Sequence, residues 1–242
     1  MRANGAHVND TSLRAVLLDV GGTLVESRPS PPEVYAHVFS QLGEPVSGDR
    51  VAPVFRRVWT EMTEVHPRGL DRYSRLKGGE REWWGEFLRR VLALLKSSAP
   101  WEEALDRLFV AFSEPSLWHV FPDVPTALEN LRRRGLRLAV VSNWDSRLPA
   151  LLTSLGLTGY FDTMVVSALE GVEKPAAEIF LRAARRLQVE PHHCLHVGDS
   201  PLDDLRGAES AGVRAVLLDR HGLFHNGYPR ITTLEDLDAH LD

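Results

Sequence analysis

The chain has 242 residues, enough for one core domain and a second, smaller unit. Its 43% hydrophobic and 25% charged residues are ordinary globular values. A formal net charge of −5 argues against a nucleic-acid surface, no apolar run reaches membrane-spanning length, and the single cysteine, Cys194, excludes an intrachain disulfide framework.

Residues 1–12 show no periodicity and read as a loose tail. Ala15 to Leu18 are apolar without alternation, the pattern of a strand covered on both faces. The strand runs into Asp19, and Gly21, Gly22 and Thr23 then demand a tight turn. An acidic residue at the carboxyl end of a buried strand stands where open α/β sheets bind ligands. The glycine doublet could also let backbone N–H groups face an anion. Arg28, Pro29 and Pro31 mark a hinge.

From Pro32 to about Ser113 the periodicity becomes helical. Val34, Val38, Phe39 and Leu42 share one face, and Val51, Val54, Phe55, Val58, Trp59 and Met62 another. Residues 66–79 are polar and read as a loop. Trp83, Phe87, Leu88, Val91, Leu92 and Leu95 mark a third helix, and Leu105, Leu108, Phe109 and Phe112 a fourth. The tryptophans here either pack this helical unit or line a substrate mouth.

After Phe121 the chain alternates strand and helix, the signature of a parallel sheet with helices on both faces. A helix capped by Asp123 ends at Gly135, and a strand from Arg137 leads into Ser142-Asn143. A helix over 146–155 follows, then a strand from Met164. Lys174-Pro175 precedes a helix that Pro175 suits as a first-turn residue. The strand from Cys194 to Val197 runs into Gly198-Asp199-Ser200, with Asp203 and Asp204 just beyond. A last strand covers 215–218, and Thr232 with Glu235 could cap a short final helix. Cys194 and His196 lie within a strand and read as core residues.

Separate strands thus deliver Asp19, Ser142-Asn143, Lys174 and Asp199/Asp204 to one sheet edge. Two close carboxylates repel, so a hard cation between them is a natural remedy. With 25 arginines to 3 lysines, Lys174 is no casual surface residue. This combination resembles the haloacid dehalogenase-like hydrolase superfamily over residues 15–218, in its helical-cap form.

The resemblance implies a Rossmann-like core over 1–30 and 115–242, with an inserted all-helical cap over 31–114. It implies Asp19 as nucleophile, with Ser142 and Lys174 completing the catalytic set. Gly21, Gly22, Thr23 and Asn143 would bind phosphate. Magnesium would be held by Asp19, the Gly21 carbonyl, Asp199 and Asp204. The ligand would be a small molecule, handled by a monomer or homodimer. With no apolar leader at its start, the chain is expected to be cytoplasmic.

One departure matters. The family's first motif is Asp-x-Asp-Gly-Thr, and Gly21 stands where the second aspartate, a general acid and base, belongs. A specialised phosphatase could tolerate this, with Glu26 or Asp145 as substitutes. A 2-haloacid dehalogenase needs no such acid and would bind its carboxylate through Arg50, Arg56 or Arg57. A phosphonoacetaldehyde hydrolase would need Lys77 or Lys96. A non-catalytic protein that binds metal or phosphate would need none of these.

Overall fold

The computed structural model describes residues 12–64, 70–74, 76–224 and 227–241. The expected tail and part of the expected loop at 66–79 lie outside the described residues.

The first strand, β1 (Ala15–Leu18), lies at the heart of a six-stranded sheet. Val16 and Leu18 face one apolar cluster, Ala15 and Leu17 another. Side chains alternate as in any strand, but both faces are covered, so the sequence shows an unbroken apolar run. Its neighbours are β4 (Arg137–Ser142) and β6 (Cys194–Gly198), both parallel, with Leu18 opposite Val140 and Val197. Beyond β4 lies β5 (Thr163–Val166); beyond β6 lie β7 (Arg214–Leu218) and the short β8 (Arg230–Ile231). After β5 the chain crosses to the other side of β1, so the switch in strand order falls beside the end of β1.

One face of the sheet is covered by α5 (Val124–Arg133) and α6 (Leu148–Ser154), the other by α8 (Ala177–Leu187). The short α7 (Ser167–Glu170) follows β5. After β6, a π-helical segment, Pro201–Arg206, passes into α9 (Gly207–Ser210).

Between β1 and α5 the chain makes α1 (Pro31–Gln41), α2 (Gly48–Glu64), α3 (Gly79–Leu95) and α4 (Trp101–Ser113). These helices share their own apolar cluster, built around Phe39, Trp83, Phe87 and Leu88. The chain leaves the core through β2 (Val25–Ser27) and returns through β3 (Trp118–Val120), which pair antiparallel. That ribbon stands where only a hinge was expected; three-residue strands are too short to show a period. No helix among the described residues is long and apolar enough to cross a membrane.

Two local expectations need correction. Asp123 does not cap α5 through its side chain; it accepts from Arg220 Nη1 at 2.9 Å and from the Leu234 N–H at 2.7 Å. The final helical turn starts one residue later than expected, with Asp236 rather than Glu235 accepting from the Thr232 and Thr233 N–H groups.

Candidate active site

β1, β4 and β6 end side by side, so Asp19, Ser142 and Asp199 emerge at one edge. Ser142 Oγ donates to Asp19 Oδ1 at 2.8 Å. Lys174 Nζ lies 2.8 Å from the same oxygen and 2.6 Å from Asp204 Oδ1. Asp19, Asp199 and Asp204 each offer a carboxylate oxygen, all within 4.8 Å of one another. Four stretches remote in sequence therefore meet in one acidic cluster with a single buried ammonium.

The charges are strongly coupled. Burial alone would lower the Lys174 pKa, but Asp19 and Asp204 outweigh it and hold the ammonium above the usual lysine range. Burial would raise Asp204, yet Lys174 and His196 keep its carboxyl well below the usual carboxylate range. At Asp199 the attraction of Lys174 is outweighed. Burial, then repulsion from Asp19 and Asp204, push it up to about 7. A carboxylate so destabilised beside another is the donor set a hard divalent cation relieves, and the cluster fits one.

Asp204 already serves several groups. Its Oδ1 accepts from Lys174 and, at 2.9 Å, faces His196 Nε2, while its Oδ2 accepts from the Ser200 N–H. Of the roles open to it, partner of Lys174 is the one the geometry displays. Gly198 makes this possible: a Cβ there would lie 2.2 Å from Asp204 Cγ.

Asn143 fixes the lysine rather than reaching the cluster. Its Oδ1 accepts from the Lys174 N–H at 2.7 Å, and its Nδ2 donates to the Lys174 carbonyl at 3.0 Å. The Lys174–Pro175 peptide is cis, and Pro175 precedes α8 instead of opening it.

The loop after Asp19 departs from expectation. The Gly22 and Thr23 N–H groups donate to the carbonyls of Val25 and Val20, so neither faces the cavity as an anion donor. Thr23 is fully buried, and its carbonyl accepts from Arg220. It braces the loop and does not line the site. Gly22, at φ +71°, leaves room for Asp199, whose Oδ2 would lie 2.5 Å from a Cβ. At Gly21 a Cβ would lie 3.3 Å from Trp144 Cζ3.

Above the cluster lies a cavity of about 570 Å³, closed by the helical insert. Aromatic side chains from both parts line it: Phe55, Trp59 and Trp84 from the insert, Trp118 and Trp144 from the core side. Trp83 instead fills the insert's own core. Among the arginines weighed from sequence, Arg56 lines the cavity; Arg50 is exposed outside it, and Arg57 pairs with Glu61 on the surface. Glu26 pairs with Arg28 and is not among the lining residues. Asp145 does line it, clamped by Arg147 at 2.6 Å and accepting from Trp84 Nε1 at 3.3 Å.

Sequence reasoning missed Arg72 and Arg147. Arg72, from the loop between α2 and α3, pairs with Glu173, the neighbour of Lys174, at 2.7 Å. Arg147 donates to the Phe109 carbonyl of α4 at 3.0 Å. Nothing in an isolated arginine marks it as a cross-link between distant segments.

A parallel sheet with a carboxylate cluster at its switch point and a helical insert over it defines a haloacid dehalogenase-type architecture. The family model described as haloacid dehalogenase-like hydrolase matches residues 13–212, and the chain belongs to that family. It is 35% identical over 211 residues to the mouse haloacid dehalogenase-like hydrolase domain-containing protein 3, covering 85% of this chain and 82% of that protein. It is 30% identical over 226 residues to a glyceraldehyde 3-phosphate phosphatase of Methanopyrus kandleri, covering 90% and 88%. Among solved structures, a phosphatase of this family from Thermococcus onnurineus superposes with a TM-score of 0.65 at 29% identity, over 95% of this chain and 98% of that one.

Proposed function

We propose that the chain is a magnesium-dependent phosphatase acting on a small phosphate ester through a phospho-aspartyl intermediate at Asp19. The convergence of Asp19, Ser142, Lys174 and Asp199 within one cluster carries this reading. Asp19 and Asp199 would hold the cation, together with the Gly21 carbonyl. When bound, the cation would neutralise charge on the phosphoryl group.

The chain's own groups have distinct tasks. Asp19 Oδ2 is free of the bonds that Ser142 and Lys174 make to Oδ1, which leaves it as the oxygen for cation or phosphorus. Ser142 orients the carboxylate, and Lys174 stabilises negative charge at the reacting centre. Asp204 and Asn143 hold Lys174 in place. The helical insert acts as a cap, excluding water from the cavity. We assign the core to 1–30 and 115–242, and the cap to 31–114.

The acidic pair favours this reading over dehalogenation, since a halide displacement gives no use for a second carboxylate like Asp199 beside the nucleophile. Paired assays with p-nitrophenyl phosphate and L-2-chloropropionate, with and without Mg²⁺, test it. Phosphate release abolished by EDTA and by Asp19→Asn is the expected result. Metal-independent chloride release would overturn it.

A further inference from the structure

The geometry points to phosphate monoesters of phenols, compounds whose leaving oxygen departs without being protonated, as the substrate class of this site. This inference rests on the phosphatase reading and deepens it.

Two observations meet here. The first is the surface beside Gly21. The Trp144 indole lies 3.3 Å from where a Cβ at position 21 would stand, so an aromatic face occupies the place a side chain there would reach. That indole is fixed. Its ring packs on Trp118 at 4.9 Å between centroids, and its backbone N–H and carbonyl are both engaged by Ser167 Oγ. Asp145, the carboxylate nearest in sequence to this tryptophan, is held as the ion-pair partner of Arg147. A carboxylate clamped by a guanidinium is turned to that cation and not to the leaving oxygen. Position 21 and its neighbour Asp145 thus offer no placed donor to a leaving oxygen.

The second observation is the cavity wall. Tyr35, Phe55, Trp59, Phe112, Trp118 and Trp144 present rings to a space of about 570 Å³. Of the three arginines that line the cavity, Arg72 and Arg147 are spent on Glu173 and Asp145, which leaves Arg56. A polyol or amino-acid leaving group would lay hydroxyl or ammonium groups against these rings, at a cost in affinity. A flat apolar ring would meet complementary faces. The wall therefore selects a ring, and the missing acid selects an oxygen that is stable as an anion. A phenolate meets both demands; an alkoxide fails the second even when it carries a ring.

The step balances without a protein acid. An Asp19 carboxylate oxygen bonds to phosphorus, the phosphorus–aryloxygen bond breaks, and its electron pair leaves on the phenolate, which takes a proton from solvent. Water then bonds to phosphorus and gives up a proton to solvent, the bond between phosphorus and the Asp19 oxygen breaks, phosphate leaves, and the carboxylate returns.

The test compares kcat/KM of the full chain with Mg²⁺ on p-nitrophenyl, phenyl, 1-naphthyl, benzyl and glycerol phosphates. Phenyl and benzyl phosphate share a ring but differ in leaving oxygen. General acid catalysis is worth about 10²–10⁴-fold, so phenyl phosphate should exceed benzyl phosphate by at least about 100-fold. Trp144→Ala should raise KM for 1-naphthyl phosphate about tenfold, and by more than it raises KM for glycerol phosphate. Asp203 also lines the cavity, so Asp203→Asn provides a control: the aryl-to-alkyl ratio should not change. Benzyl or glycerol phosphate within tenfold of phenyl phosphate, or a ratio that rises in Asp203→Asn, would overturn the inference while the phosphatase reading stands. No release from any ester would overturn both.

Discussion

Arg72 and Glu173, separated by 101 residues, form an ion pair of 2.7 Å with both side chains more than nine-tenths buried. One belongs to the helical insert and the other precedes Lys174, so the pair ties the insert to the segment that carries Lys174. The Arg72 guanidinium also lies over Trp59 at 5.4 Å, a second link into the cavity wall. Removing one partner leaves a buried charge uncompensated, a loss of about 3–5 kcal/mol. Arg72→Ala should lower the melting temperature markedly, and pairing it with Glu173→Gln in a double-mutant cycle should recover part of the loss. Full additivity would show that the pair holds nothing together.

Asp204 positions Lys174, and its replacement should show in both stability and turnover. Asp204→Asn weakens charge-assisted bonds to Lys174 and His196, worth about 2 kcal/mol in total effect. Denaturant unfolding should report that loss. Asp19→Asn should abolish phosphate release while leaving the far-UV spectrum and cooperative unfolding intact.

The loop glycines make a separate prediction. Gly22→Ala forces a Cβ to within 2.5 Å of Asp199 Oδ2 at a backbone φ of +71°, a strain of about 1–3 kcal/mol. The variant should lose most of the thermal shift that Mg²⁺ gives the wild type, because Asp199 must move. An unchanged Mg²⁺-induced shift would remove Asp199 from the cation site.

Alkaline pH should unfold the protein from a defined point. Burial pushes the Cys194 thiol up to about 12 and raises the phenols of Tyr35 and Tyr73 above their ordinary 10.0. Each group keeps its proton more tightly folded than unfolded, so stability is unaffected below the unfolded values, 9.0 for the thiol, and falls as pH rises beyond them. Melting temperature should hold from pH 7 to about 9 and then decline. Consistent with that burial, Cys194 should resist a thiol reagent at pH 8 until denaturant is added.

Much of this architecture is legible in the chain because parallel strands announce themselves. Val16 and Leu18 face one cluster and Ala15 and Leu17 the other, so β1 reads as an apolar run that stops at Asp19. Strand ends carrying Ser142 and Asp199 are readable for the same reason. Side-chain reach is not. Cavity-facing residues of α2 follow Ala52, Phe55, Arg56 and Trp59, whereas Arg50 sits about 200° around the helix from Ala52. Without knowing which face meets the core, Arg50 and Arg56 are equivalent. The resemblance implies phosphate binding at Thr23, yet Thr23 is fully buried and its carbonyl accepts from Arg220, which lies in the loop after β7. The role of Trp144 emerges only when β3 brings Trp118 against it.

The central claim is that Asp19 takes the phosphoryl group. A rapid-quench experiment with labelled p-nitrophenyl phosphate and Mg²⁺ tests it most directly. With no base at position 21 to activate water, the second step should lag the first. The account therefore predicts a p-nitrophenol burst approaching one equivalent per chain, with acid-stable label mapping to the peptide that contains Asp19. Label on any other residue, or label that persists in Asp19→Asn, would contradict it.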